Sequence, residues 1–370
     1  MRITFVVVVA DLSGGFRVVA TYAERLRQRG HEVLVMSCAR RKPTVKDRLR
    51  AFVKRRPVRL TPENAPTHLD DTQVAHKKLE SRRPPTPDDL PDADVVVATW
   101  WETAEWVWAL PASKGVKVHF MQDYEVWGNN APVARVDASC TLPMPRITPA
   151  RWVKDMLDKQ FGQGDVTLVP NAVDLAKFTA APRSKQGVPT VGFTYTAFRP
   201  KGTDITIEAI RLARQQRPEL KVVAFGATNP LPEVPLPPNT AYHPRAPEQK
   251  LKELYGQCDA WLFGTRKEGF GLPILEAMAC RTPVIGTPAG AAPELLEQGG
   301  GIMVPMEDPR AMADAILKVC AMPTAEWRAL SDAAHATAHR WTWDDATDQF
   351  EAALKRAVER AGNPAHAVAV

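Results

Sequence analysis

The stretch Lys267 to Gly290, KEGFGLPILEAMACRTPVIGTPAG, constrains this chain more than any other. An apolar run, Asp259 to Phe263 (DAWLF), precedes it and reads as a buried strand. Gly264, Gly269 and Gly271 then form a loop whose backbone can come close to a ligand. Pro273 suits the start of a helix, because its missing N–H would be unpaired there anyway. That helix is expected to reach about Ala279 and to stop before Pro283, where a second apolar strand begins. A strand, a glycine loop and an exposed helix N-terminus suit phosphate, since free N–H groups and the helix dipole both favour anions.

Two carboxylates bracket the loop, Glu268 before it and Glu276 in the expected first helical turn. Glu276 is open to a simpler account as a favourable charge near a helix N-terminus. Glu268 has no such account, because it lies in the loop itself. Carboxylates beside a phosphate site are unfavourable unless they accept hydrogen bonds from hydroxyls. A nucleotide sugar carries both a diphosphate and such hydroxyls.

These residues resemble the donor-site signature of family 4 glycosyltransferases, retaining enzymes of the GT-B fold whose two glutamates flank a glycine loop with seven residues between them. The following EAMACRTPVIGTPAG strengthens the match. The resemblance implies an α/β fold of two facing doubly wound, Rossmann-like parallel-sheet domains with a cleft between them. It implies glycosyl transfer from a nucleotide-diphosphate sugar to an acceptor, with retention and with neither metal nor cofactor. Glu268 would bind the sugar hydroxyls and orient the anomeric centre, and Glu276 would hold the ribose. Gly269, Phe270, Gly271 and Leu272 would present backbone to the donor.

The chain repeats the strand–turn–helix pattern in order. Arg2 to Val9 is continuously apolar, as in a parallel strand buried on both faces. A glycine turn at Gly14 and Gly15, a helix from Phe16 to Arg29 and a strand from Glu32 to Ser37 follow. The GxGxxG fingerprint is absent, which speaks against a nicotinamide cofactor. In the resembled family this first glycine turn approaches the donor sugar or the acceptor; a plain tight turn is the other reading of Gly14 and Gly15. Asp94 to Thr99 resumes the sheet, and Trp100, Trp101, Trp106 and Trp108 crowd the next segment. They read as core or as a stacking platform for the acceptor, with Trp101 the candidate. The strand Val116 to Met121 ends at Gln122 and Asp123. The family commonly shows His-Asp there, so a histidine role does not transfer to Gln122, and Asp123 is an acceptor-site candidate. His119, inside the strand, reads as a satisfied core histidine.

Pro170-Asn171-Ala172-Val173-Asp174 resembles the family's Pro-Asn-Gly-Val-Asp junction, with alanine at the glycine position. Expected divisions are an acceptor-side domain 1–178, a donor-binding domain 179–340, a helix 341–361 crossing back to the first domain, and a tail 362–370. Trp341, Trp343 and Phe350 are the expected anchors of that helix. In the second domain, Arg199-Pro200-Lys201-Gly202 places cations after a strand. The family uses a lysine before this glycine to bind the diphosphate, and Lys201 matches it. The family's arginine sits about five residues earlier, where this chain has Thr196, so Arg199 is its proposed substitute. Catalysis would rest on Lys201, Arg199 and Glu268.

With 370 residues the chain accommodates two domains. Its five cysteines are scattered and lack any CxxC, which argues for a reducing, cytoplasmic setting and against a zinc site. The net charge of +6 is concentrated between Arg40 and Arg59, with ten Lys or Arg against the single acid Asp47. That segment reads as a solvated loop or as an amphipathic stretch on an anionic membrane, at the inner face of the plasma membrane. Nucleic acid is disfavoured, since no aromatic-interleaved motif accompanies the charge. Expected partners are therefore a nucleotide-sugar donor and a glycan or glycolipid acceptor of cell-surface polysaccharide synthesis. The competing readings are a nucleotide-sugar epimerase of the same fold, or a non-catalytic protein holding a nucleotide sugar or anionic lipid.

Overall fold

The computed structural model describes residues 1–40, 44, 45, 49, 62, 64–126, 132–162 and 164–362. Most of the basic segment 40–59 and the expected tail from residue 363 lie outside the described residues. The chain forms two compact units. One comprises Met1–Thr148, Val153–Val169 and the chain from Thr347; the other comprises Pro149–Trp152 and Pro170–Ala346. The passage to the second unit thus falls at Pro170, ahead of the expected 178/179. Phe178 shows why: it is 2% exposed and meets the ring of Tyr255 edge-on at 6.1 Å, inside the second unit.

The first unit is built on a seven-stranded sheet of order β3-β2-β1-β4-β5-β6-β7. Its strands are β1 (Arg2–Val7), β2 (Glu32–Ser37), β3 (Ala75–Lys78), β4 (Val95–Ala98), β5 (Val116–Phe120), β6 (Arg146–Thr148) and β7 (Val166–Leu168), all parallel. Every residue of β4, VVVA, is buried, as the unbroken apolar run demands. The edge strand β3, AHKK, is exposed throughout and carries no apolar pattern to announce it. Its lysines discourage another strand from pairing there. After β4 the tryptophan-rich segment forms the helix Trp101–Trp108.

His119 is fully buried in β5, as expected of a core residue, and burial with help from the Arg146 charge pulls its pKa down to about 3. It is not satisfied, however: neither ring nitrogen has a hydrogen-bond partner among the described residues. Arg146 beside it is also buried, donating to the carbonyls of Cys140 at 2.5 Å, Leu142 at 2.6 Å and Met144 at 3.3 Å. The helix Trp343–Gly362 belongs to the first unit from Thr347 onward. There Phe350 stacks on Tyr22 at 4.2 Å and meets Phe120 edge-on at 5.1 Å. Of its expected anchors, Phe350 lies within the first unit. Trp341 donates its indole N–H to Pro170 O at 2.8 Å within the second unit, and Trp343 also precedes the crossing.

The second unit holds a six-stranded parallel sheet of order β10-β9-β8-β11-β12-β13. The strands are β8 (Thr190–Thr194), β9 (Lys221–Gly226), β10 (Thr240–Pro244), β11 (Ala260–Phe263), β12 (Val284–Gly286) and β13 (Gly301–Met303). Phe193, Ile210, Leu262, Ile285, Ile316 and Trp327 share its core. Strand order reverses between β8 and β11. In open α/β sheets the crevice outside the carboxyl ends at such a reversal is where ligands bind. β8 leads into the 3-10 turn Arg199–Lys201 and the helix Thr203–Gln216, while β11 leads into the glycine loop and the helix Leu272–Ala279. Both candidate motifs therefore flank one crevice.

Among the described residues no helix is long and apolar enough to cross a membrane.

Candidate functional site

The two loops at the β8/β11 reversal are pressed together. Gly202 has φ 61°, and a Cβ there would overlap the Gly264 carbonyl, so only glycine fits. Pro200 O accepts the backbone N–H groups of Arg266 at 2.8 Å and Lys267 at 3.0 Å. The Arg266 guanidinium fastens the pair, donating to Asp204 at 2.7 and 2.8 Å, to Arg199 O at 2.8 Å, and to Glu307. These bonds hold the Asp204 and Glu307 carboxyls below their ordinary range and raise the guanidinium. Arg266 gives no signal in the sequence, because its partners lie 62 and 41 residues away.

This clamp sets Lys201 Nζ 2.8 Å from a Glu268 carboxylate oxygen, both side chains part-buried. Arg199, at the other end of the same 3-10 turn, is exposed. The loop then runs through Gly269 and Phe270, both buried, to Gly271, the N-cap of the helix Leu272–Ala279, whose φ of 99° favours glycine. Gly269 O accepts the indole N–H of Trp152 at 2.8 Å, and Phe270 O accepts Ala291 N–H at 2.8 Å. Trp152 is a support that sequence spacing could not reveal, lying 117 residues from its partner.

Glu276 departs from expectation. The helix begins at Leu272, so Glu276 stands in the second turn, and no acid occupies the first. It is 4% exposed and accepts a hydrogen bond from the Tyr255 hydroxyl at 2.7 Å. A surface charge serving the helix dipole would be solvated. A buried carboxylate must instead be hydrogen-bonded, which removes the simpler account of this residue.

In the first unit Gly14 and Gly15 are not a turn. They are the first two residues of the helix Gly14–Gln28, whose N-cap Ser13 accepts Phe16 N–H at 3.4 Å. Neither has a positive φ, and both are exposed. Gln122 Nε2 donates to Gly15 O at 3.0 Å. Asp123 is buried beside this point, as is Glu125, which accepts Trp101 N–H at 2.9 Å. Trp101 is 9% exposed, with the Arg135 guanidinium 4.6 Å from its ring centre. The stacking face expected of Trp101 is therefore already covered, because the helix turns that ring inward. No group of three or more His, Cys, Asp or Glu able to hold a metal ion occurs among the described residues.

Solved structures share this architecture. Sucrose-phosphate synthase from Thermosynechococcus elongatus matches with a TM-score of 0.73 at 19% identity, over 98% of this chain and 100% of its own. HepE from Anabaena, in complex with UDP and glucose, matches with a TM-score of 0.73 at 16% identity, over 96% and 99%. Two doubly wound parallel-sheet domains of this kind define the GT-B class. Residues 12–177 match the profile described as Glycosyltransferase Family 4, and residues 185–322 that described as Glycosyl transferases group 1. The chain belongs to family 4 of the glycosyltransferases. Among curated relatives, a D-inositol 3-phosphate glycosyltransferase from Segniliparus rotundus is 26% identical over 213 residues, 52% of this chain and 47% of that one. An O-antigen chain mannosyltransferase B from Escherichia coli is 33% identical over 110 residues, 30% of this chain and 28% of that one. The chain spans about half the length of the first of these relatives or less.

Proposed function

We propose that this protein is a retaining glycosyltransferase that moves a sugar from a nucleotide-diphosphate sugar to a hydroxyl of a glycan or glycolipid acceptor. The observation that carries the reading is the Lys201–Glu268 pair, 2.8 Å apart, in the crevice where β8 and β11 diverge, beside the N-terminus of the helix Leu272–Ala279. In the reaction the bond from the anomeric carbon to the diphosphate breaks and the acceptor oxygen bonds that carbon. The acceptor's proton leaves with the diphosphate. Charge therefore grows on the leaving phosphate, and preorganised cations and N–H groups aimed there lower the barrier. Lys201, Arg199 and the backbone from Phe270 to Leu272 take that role. Glu268 orients the sugar hydroxyls, and Glu276 accepts from the ribose.

The structures named for UDP make a uridine nucleotide the first probe. The relatives named for an inositol phosphate and an O-antigen make polyol and polysaccharide hydroxyls the first acceptors to try, with Asp123 on the acceptor side and Gly14 and Gly15 towards the donor sugar. Segment 40–59 is proposed to meet an anionic membrane surface; its described residues Val45 and Leu49 are 82% and 62% exposed. Liposome sedimentation without preference for anionic lipid removes that part.

The main test is a thermal-shift panel of UDP-, GDP- and ADP-sugars and free nucleotides on wild type and Glu276→Ala. One nucleotide series should raise the melting temperature of wild type, and the variant should lose the rise. No shift with any series at millimolar ligand overturns the donor assignment.

A further inference from the structure

Glu276 is buried in the second turn of its helix, a place that selects one rotamer only if something holds the carboxylate. Tyr255 does so. It closes the helix Glu248–Gly256, is fully buried, and donates its hydroxyl to Glu276 Oε2 at 2.7 Å. The ring is fixed independently of that bond. Trp261 lies 4.4 Å from it, Phe225 5.6 Å and Phe178 6.1 Å, centre to centre, each roughly edge-on. Its main chain is fixed as well: Tyr255 O accepts the Thr282 hydroxyl at 2.8 Å, just after the Glu276 helix. The phenol is thus an anchored donor against a buried carboxylate, and a rigid donor of this kind orients its acceptor rather than following it.

We propose that Tyr255 is a positioning residue for ribose selectivity: its hydroxyl orients Glu276 so that the carboxylate presents an acceptor to the sugar hydroxyls of a ribonucleotide, and a deoxynucleotide is rejected. This rests on the donor site proposed above. A buried carboxylate left facing a missing hydroxyl loses a charge-assisted hydrogen bond, and such a site discriminates against the deoxy ligand strongly. With Tyr255 removed, Glu276 stays buried but loses the bond that orients this oxygen. Discrimination should then fall while binding through the phosphates persists.

The experiment is calorimetric titration of the intact chain with UDP, GDP and ADP, followed by the 2′-deoxy and 3′-deoxy forms of whichever binds. If none of the three binds wild type, the donor site itself is wrong and Tyr255 has no ribose to serve. If one binds, wild type should prefer at least one ribose hydroxyl by about tenfold or more. Tyr255→Phe should bring that ratio towards one with little change in the affinity of the deoxy form. In a Glu276→Ala background the same change should do nothing further. Replacing Tyr255 by p-aminophenylalanine, which keeps a donor at the ring tip, should restore the ratio, and it serves as the second variant if Tyr255→Phe folds poorly. Equal weakening of ribo and deoxy forms in Tyr255→Phe, or an undiminished ratio, overturns the proposal, because a merely structural tyrosine would give the first and an idle one the second.

Discussion

The two sheets reverse their strand order in the same way, between β1 and β4 in one unit and between β8 and β11 in the other, yet the crevices there are built differently. At β8/β11 two loops are locked by backbone contact at Gly202, by the Arg266 clamp and by the Lys201–Glu268 pair. At β1/β4 the glycines of the helix Gly14–Gln28 are exposed, have ordinary φ, and are held by the hydrogen bond from Gln122. Equal topology therefore fixes where a ligand can bind, while loop chemistry decides how tightly its shape is dictated. A diphosphate, common to all donors of a class, suits the rigid crevice. Under the function proposed above, the acceptor falls to the open one.

The comparison breaks first at Lys201. Lys201→Ala should lower donor turnover by about 100- to 1000-fold, the scale for removing one preorganised group from a developing oxyanion. Gln122→Ala should leave turnover within about tenfold, since it removes a single neutral hydrogen bond. A steady-state assay of both variants decides; comparable losses would mean the two crevices are equally dictated. Next, Gly202→Ala should destabilise the protein by roughly 3 kcal/mol, combining positive φ with a backbone collision. Denaturant unfolding reads this directly.

A third effect lies in the first unit and is set by pH. The folded pKa of His119 lies at about 3, below its ordinary 6.5, with burial as the main cause. For this depressed base the unfolded chain takes up the proton first. Stability is then complete above pH 6.5 and falls by up to about 1.4 kcal/mol per pH unit until folded His119 titrates. His119→Leu should flatten that slope in unfolding curves between pH 6.5 and 4; an unaltered slope would place the acid sensitivity elsewhere. The smallest effect is expected at Gly15→Ala. A Cβ there would meet the Gln122 amide at an ordinary 3.7 Å, and the position is helical, so the melting temperature should hold or rise slightly.

Much of the sheet framework was readable because burial on both faces leaves unbroken apolar runs, as in DVVVAT around β4 and DAWLF around β11. β3 was not, because an exposed edge places no such demand on AHKK. The helix Trp101–Trp108 was hidden by its tryptophans, whose bulk fits core, platform and helix alike. At the site, Lys201, Glu268 and the glycine loop stood out through local spacing. Tyr255, Trp152 and Arg266 could not, since each acts on a partner 21 or more residues away and only the fold joins them. Glu276 was expected in the first helical turn but stands in the second, because the helix starts at Leu272, after the N-cap Gly271, rather than at Pro273.

The interleaving of the chain has a temporal consequence. Phe5, Tyr22 and Phe120, made early, all meet the ring of Phe350, made late. At ordinary synthesis speeds, the interval between Val169 and Gly362 leaving the ribosome is roughly 10–40 s. All of the second unit but Pro149–Trp152 is made within that interval. The unit begun first is thus completed last, and until then its aromatic face is what a chaperone, or an aggregate, would meet.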